Sequence, residues 1–179
     1  IQKELESTFD IKLSMSIGYG DNPYDANLDA YEAKKSQKFL NEQYSIFGIS
    51  NGHSEHSVTV MHLDVDDITS IRKKSMSPYD TSSLMFKIYS RMSEYFLSKN
   101  SLTFFMGGDN FMVVTNSEFK TFAKDFIQIC KDEFQIELNC GIGTASTSRD
   151  AVKLATESLD TIREIRDAGK EKPEIYELN

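Results

Sequence analysis

Asp64 and Asp109 are the residues of this chain best suited by type and position to do chemistry. Asp64 lies in Leu63-Asp64-Val65-Asp66-Asp67, and Asp109 in Phe104-Phe105-Met106-Gly107-Gly108-Asp109-Asn110-Phe111. In both segments a carboxylate stands where an apolar run stops, and the stretch between them has helical periodicity. If the two runs are adjacent strands, the carboxylates fall side by side and repel unless a divalent cation lies between them. Oxygen ligands of this kind suit Mg2+ or Mn2+ rather than zinc. Gly107-Gly108 alone says little, since any tight hairpin favours glycine. Beside Asp109-Asn110 these glycines would let phosphate oxygens approach main-chain amides with no Cβ in the way, which is chemistry for a nucleotide.

Strand alternation over residues 58–66 puts Met61, Leu63 and Val65 on a face for helices, and Val60, His62, Asp64 and Asp66 on the opposite, open face. Asp66 and Asp67 are candidates for contact with a substrate there; capping of the following turn is the competing role. A carboxylate inside a strand, as at Asp64, needs a counter-charge. His62 is a candidate proton shuttle, or else a satisfied half-buried histidine. Tyr79-Asp80-Thr81 opens a helix, so Asp80 is an N-cap candidate that would also lie near a metal. Arg163, Arg166 and Lys170 cluster late in the last long helix. They either complement its dipole in solvent or send one side chain to a phosphate.

The elements that must position these residues form one and a half copies of a repeat. Displaced by 125 positions, Phe9-Asp10-Ile11-Lys12-Leu13 aligns with Phe134-Gln135-Ile136-Glu137-Leu138, Ile17-Gly18 with Ile142-Gly143, and Asp25-Ala26 with Asp150-Ala151. The shared unit is a strand ending in Ile-Gly, a polar turn, and a helix whose N-cap or first turn holds Asp25 or Asp150. In the second copy the pattern predicts strands over 57–66, 102–107, 110–115 and 136–142, with helices over 79–99, 118–133 and 149–167. Ile175-Tyr176 would close as an edge strand. The order β-α-β-β-α-β predicts an α+β, ferredoxin-like antiparallel sheet with helices on one face. Residues 1–50 then form the C-terminal part of a truncated first repeat, with a helix over 25–45 and a strand near Ser45–Ser50. Residues 51–57 are a linker and 58–179 a complete second domain.

A chain of 179 residues with 39% hydrophobic content can bury a core. Its net charge of −8, from 20 basic and 28 acidic residues, argues against binding nucleic acid or anionic membranes through bulk electrostatics. No apolar run is long enough to span a bilayer. Cys130 and Cys140 lack metal-site spacing and are expected to be reduced core residues, which fits a cytoplasmic protein.

The chain resembles archaeal GTP cyclohydrolase III. The resemblance rests on HLDVDDIT (62–69), YDT (79–81), LTFFMGGDNFM (102–112), IELNCGIG (136–143) and DAVKLATESLDTIR (150–163). Gly-Gly-Asp-Asn by itself would not separate this family from diguanylate cyclases; the neighbouring segments do. The resemblance implies tandem palm-like domains of nucleotidyl-cyclase type, and a Mg2+-dependent opening of the guanine imidazole ring of GTP. It also implies release of phosphates, giving a formylamino-pyrimidine ribosyl monophosphate for flavin biosynthesis. It further implies Asp64, Asp109 and the Val65 carbonyl as metal ligands, Gly107 and Gly108 along the phosphates, and Asn110, Tyr79 and Asp80 as substrate contacts. A homo-oligomer is expected. A nucleotidyl cyclase and a catalytically silent nucleotide-binding module are the alternatives.

Overall fold

The computed structural model describes residues 2–48, 57–66, 76–115 and 119–179. The chain divides into two compact units, Ile1–Ser54 and Glu55–Asn179. Most of the expected 51–57 linker lies outside the described residues, as does Asp67.

In the second unit, β4 (Val58–Val65), β5 (Leu102–Gly107), β6 (Asn110–Thr115), β7 (Leu138–Ala145) and β8 (Ile175–Leu178) form one sheet in the order β5-β6-β4-β7-β8. The first four strands are antiparallel and follow the ferredoxin-like order. β8 departs from the expected antiparallel sheet by joining β7 in parallel. That pairing requires a crossover, which is supplied by the helix between the two strands.

Helices α3 (Pro78–Leu97) and α4 (Phe119–Phe134) cover one face. Met61, Leu63 and Val65 of β4 meet Ile88, Met92 and Phe96 of α3 and Phe126, Ile127 and Cys130 of α4 there. The inward stripe of α4 is Ala123, Phe126, Ile127 and Cys130, whereas Phe119, Phe122 and Ile129 are only partly buried around it. Arg91 and Glu133 tie the two helices through a bidentate ion pair with N–O distances of 2.9–3.1 Å.

Helix α5 (Ser148–Asp167) corrects the expectation that helices occupy a single face. Val60 of β4 packs with Ala151 and Ala155 in a separate cluster, opposite the larger core. The reason lies in Gly141 and Gly143 of β7. A Cβ on Gly141 would sit 2.2 Å from the Ala155 carbonyl oxygen, and one on Gly143 2.3 Å from that of Ala151. Missing side chains let the helix backbone lie directly on the sheet. The face holding His62 and Asp64 is therefore roofed by α5 rather than open.

The first unit holds α1 (Gln2–Phe9), β1 (Met15–Ser16), α2 (Pro23–Lys35), β2 (Phe39–Asn41) and β3 (Ile46–Phe47), with its sheet in the order β1-β3-β2. Its β1-α2-β3 part repeats the order strand, helix, parallel strand of β7-α5-β8 in the second unit. Asn22 caps α2 by accepting from the Asp25 amide at 2.9 Å, and Thr147 caps α5 by accepting from the Asp150 amide at 3.2 Å. Asp25 and Asp150 are thus first-turn residues rather than caps. A Cβ on Gly18 would lie 1.9 Å from the Ala26 carbonyl oxygen and 2.4 Å from the Ala30 nitrogen, atoms 125 positions before those that confront Gly143. β1 pairs with β3 in parallel, as β7 does with β8.

The helix expected over 25–45 stops at Lys35. Gln37 takes a left-handed φ of 51°, and the Lys38 amide turns back to the Ala33 carbonyl at 2.9 Å. The chain then forms the β2–β3 hairpin.

Candidate active site

Asp64 and Asp109 reach the same end of the sheet by different routes. Asp64 is the penultimate residue of the central strand and pairs with Asn110 of β6 and Asn139 of β7. Asp109 occupies the two-residue turn between β5 and β6, beside Gly108. Gly107 and Gly108 hold φ of 101° and 63°, and a Cβ on either would meet nothing within 4 Å. These glycines are required by the backbone turn and not by packing, so the main chain there stays bare to a ligand.

A cavity of about 430 Å3 opens onto this turn. Its lining comprises Pro78, Thr81, Ser82, Met85 and Phe86 of α3, Phe105 of β5, and Gly108 and Asp109. Apolar rings and a few hydroxyls around such a volume suit a planar heterocycle.

Asp80 does not line this cavity. Its carboxylate accepts from the Ser77 amide at 3.2 Å and the Ser77 hydroxyl at 2.6 Å, closing a capping box in which Ser77, rather than Asp80, is the N-cap. Those bonds hold its pKa below the usual carboxylate value. Tyr79 is 82% exposed and also lies outside the cavity lining.

On the α5 face the acidic strand tip is held by cations. Asp64 is 5% exposed, and its Oδ2 accepts from Arg163 Nη2 at 2.7 Å and Nε at 3.2 Å. Its Oδ1 accepts from Asn139 Nδ2 at 3.1 Å. Asp66 accepts from Asn139 at 3.2 Å, and pairs with Lys172 at 3.0 Å and Arg166 at 3.3 Å. Burial pushes the Asp66 pKa up, but bonds from Lys172, Asn139 and Arg166 outweigh it and hold the group below the usual carboxylate value. Arg163 also pairs with Asp160 at 2.9 Å, and Arg166 with Asp167 at 3.0 Å.

The site therefore departs from the expectation that Asp64 and Asp109 share a cation. Both oxygens of Asp64 already accept from N–H donors. Among the described residues no group of three His, Cys, Asp or Glu is placed to hold a metal. As arranged, the donor set does not fit a divalent ion at Asp64. Val65, whose carbonyl was expected as a further ligand, ends β4 with its side chain buried toward α3 and α4.

His62 connects the two acidic elements. Its Nε2 lies 3.2 Å from Asn110 Oδ1, while Asn110 Nδ2 donates to Asp109 Oδ1 at 2.8 Å. An amide oxygen can only accept, so the ring carries a proton on Nε2. Nδ1 faces the Thr156 hydroxyl of α5 at 3.3 Å. The chain His62–Asn110–Asp109 fixes the Asn110 amide and, through it, one carboxylate oxygen of the turn. His62 is thus a partly buried histidine with a partner at each ring nitrogen, under α5 rather than on an open face.

Burial, with a smaller contribution from Arg163, lowers the His62 pKa from its ordinary 6.5, against the opposing bond to Asn110. The unfolded chain then binds more protons than the fold as pH drops through 6.5 and below. Stability due to this group is full above 6.5 and is lost as pH falls toward the folded value. Urea midpoints measured from pH 8 to pH 5 should fall more steeply for the wild type than for His62→Gln, which keeps a donor but cannot titrate. Parallel curves would exclude this role for the ring.

Sequence reasoning missed Asn139, Lys172 and Thr156. Asn139 is fully buried, donates to both acids and accepts from Lys172 at 2.7 Å. The available signal was its phase: it shares a strand face with Gly141 and Gly143, the face that meets α5. Lys170, singled out with the late-helix cluster, is not part of this network; Lys172 takes that place.

A ferredoxin-like sheet whose central strand ends in acids beside a Gly-Gly-Asp hairpin defines a palm-like domain of nucleotidyl-cyclase type. The active GGEEF domain of a diguanylate cyclase from Vibrio cholerae shares this fold, with a TM-score of 0.51 and 15% identity over 69% of this chain and 85% of that one. The sequence model of the family GTP cyclohydrolase III matches residues 1–174, and the chain belongs to that family. GTP cyclohydrolase III of Methanothermobacter thermautotrophicus is 31% identical over 91% of this chain and 66% of its own length. That of Methanocaldococcus jannaschii is 30% identical over 91% and 62%. The chain thus spans somewhat under two thirds of the length of these curated relatives. Among the described residues no helix is long and apolar enough to cross a membrane.

Proposed function

We propose that this protein acts on GTP as a cyclohydrolase, opening the imidazole ring of the guanine and releasing phosphates to leave a formylamino-pyrimidine ribosyl monophosphate. The observation that carries this reading is the cavity of about 430 Å3 that ends on the Gly108–Asp109 turn. A purine fits against Phe86, Phe105 and Met85, with the Thr81 and Ser82 hydroxyls available to its polar edge. Bare main chain at Gly107 and Gly108 then lies where the phosphates leave the pocket, and Asp109, steadied by Asn110, stands beside them. Membership of the GTP cyclohydrolase III family supports GTP as the substrate.

The residues divide the work by chemistry. The cavity excludes water from the faces of the base, which strengthens polar contacts at its edge. Arg163 is the cation with the geometry to grip a phosphate bidentately once it leaves Asp64. His62 holds the turn through Asn110. A cytoplasmic, homo-oligomeric enzyme is part of the proposal, since GTP and reduced thiols belong to that compartment; Cys130 and Cys140 are both free and buried.

Incubation of the purified protein with GTP and Mg2+ tests the reading. Free phosphate with loss of purine absorbance is the expected result. Pyrophosphate with a cyclic or dinucleotide product would replace it by a nucleotidyl cyclase. Saturable GTP binding without any turnover would leave a binding module.

A further inference from the structure

Large apolar side chains left in solvent are not spread evenly over the second unit. Among the described residues they are Tyr79, Phe86 and Leu97 of α3 and Phe104 and Met106 of β5. All of them lie on the terminal strand of the sheet or on the helix before it. Phe104 is 47% and Met106 55% exposed. Phe104 pairs with Met112 and Leu102 with Val114, so both share the sheet face that meets α5. Met112 and Val114 are partly buried at the margin of that contact, and Phe104 lies one strand farther out.

A strand at the end of a sheet presents unpaired amides and carbonyls, and charged side chains are a usual guard against pairing with another chain. The two edges of this sheet differ in that respect. β8 carries Glu177, which pairs with Lys120 of α4, and Glu174 just before it pairs with Lys131. β5 reads Leu-Thr-Phe-Phe-Met-Gly and has no charge, in a chain of net charge −8. An acidic protein repels its own copies, and an uncharged surface is where that repulsion is least.

The sequence of β5 also complements itself. In an antiparallel pair, residues directly opposite lie on the same side of the sheet. A two-fold axis through Phe104 sets Phe104 against Phe104, Leu102 against Met106 and Thr103 against Phe105. The apolar side chains on the α5 side of one copy thereby meet those of the other. The cavity of the proposed function lies on the opposite side, lined by Phe105 rather than Phe104.

We propose that β5 is a self-pairing edge: two copies of this protein join antiparallel through Leu102–Gly107, about a two-fold axis at Phe104, into one continuous sheet. The pairing gives the proposed homo-oligomer its surface and does not depend on the nucleotide reading.

Sedimentation equilibrium of the full chain without nucleotide tests it. The wild type should pass from monomer to dimer as concentration rises, and Phe104→Lys should weaken the dimer by about tenfold or more. That substitution makes the net charge less negative, so a loss of association comes from the two lysines meeting at the axis and not from overall repulsion. Phe104→Cys should cross-link under mild oxidation, because facing Cα atoms about 4.5–5.5 Å apart fit a disulfide. Glu177→Cys on β8 should not. Hydrogen exchange of the wild type needs no variant: the β5 amides that point away from β6 should gain protection only as the dimer forms. A wild type that stays monomeric, a Phe104→Lys dimer as tight as the wild type's, or cross-linking at position 177 but not at 104 would overturn the pairing. So would outward β5 amides already protected in the dilute monomer, since the edge would then be covered within one chain. GTP turnover is assayed separately, and either result there leaves this one intact.

Discussion

Replacing Asp109 with alanine is expected to lower GTP turnover by about 100-fold or more while leaving the fold unchanged. The carboxylate sits in a two-residue turn, half-buried, with Asn110 as its recorded hydrogen-bond partner. It contributes to no core cluster, so truncation removes a charged group from the rim of the cavity without opening a void. Steady-state turnover and far-ultraviolet circular dichroism on the same preparation check both halves of the statement. A protein that keeps its activity would take Asp109 out of the chemistry. One that loses its helical signal would make it a folding residue.

The largest expected effect on stability comes from a residue with no chemistry. Gly141→Ala should cost about 3 kcal/mol or more, since overpacking against rigid backbone lies at the severe end of core substitutions. The new Cβ would fall 2.2 Å from the Ala155 carbonyl oxygen and 2.4 Å from the Leu159 nitrogen, and neither can swing aside as a side chain would. Helix α5 must lift, and it carries Arg163, Thr156 and the Ser158 hydroxyl that donates to the Ile142 carbonyl at 2.9 Å. Gly108→Ala is the control. Its Cβ meets nothing, so the cost should be only the roughly 1 kcal/mol of a left-handed φ. Equal urea midpoints for the two variants would contradict the packing of α5 described above.

Much of the architecture follows from periodicity. Strands β5 and β6 begin and end where alternation and the Gly108-Asp109 turn place them, because a two-residue hairpin fixes register on both sides. Helix α3 carries Ile88, Met92 and Phe96 inward as four-residue spacing requires, with Met85 completing the stripe and Leu84 partly buried beside it. The repeat was also visible: identical residue types recur at the strand end and the helix start, and Asn22 and Thr147 cap at corresponding positions. What periodicity does not carry is which side of the sheet a helix will take. Period two marks Val60, His62 and Asp64 as one face, and the same pattern serves a face open to solvent and a face under α5.

The amino-acid order by itself determined the strand–helix succession, the hairpin, the repeat and the acids at the end of β4, since each depends on neighbours a few residues apart. The cationic partners were a tertiary matter. Arg163, Arg166 and Lys172 lie about a hundred positions from Asp64 and Asp66, and only the descent of α5 onto Gly141 and Gly143 brings them there. Sequence spacing announces that a buried carboxylate needs a positive charge. Whether that charge is a metal or a guanidinium depends on which distant side chain the packing delivers within about 3 Å.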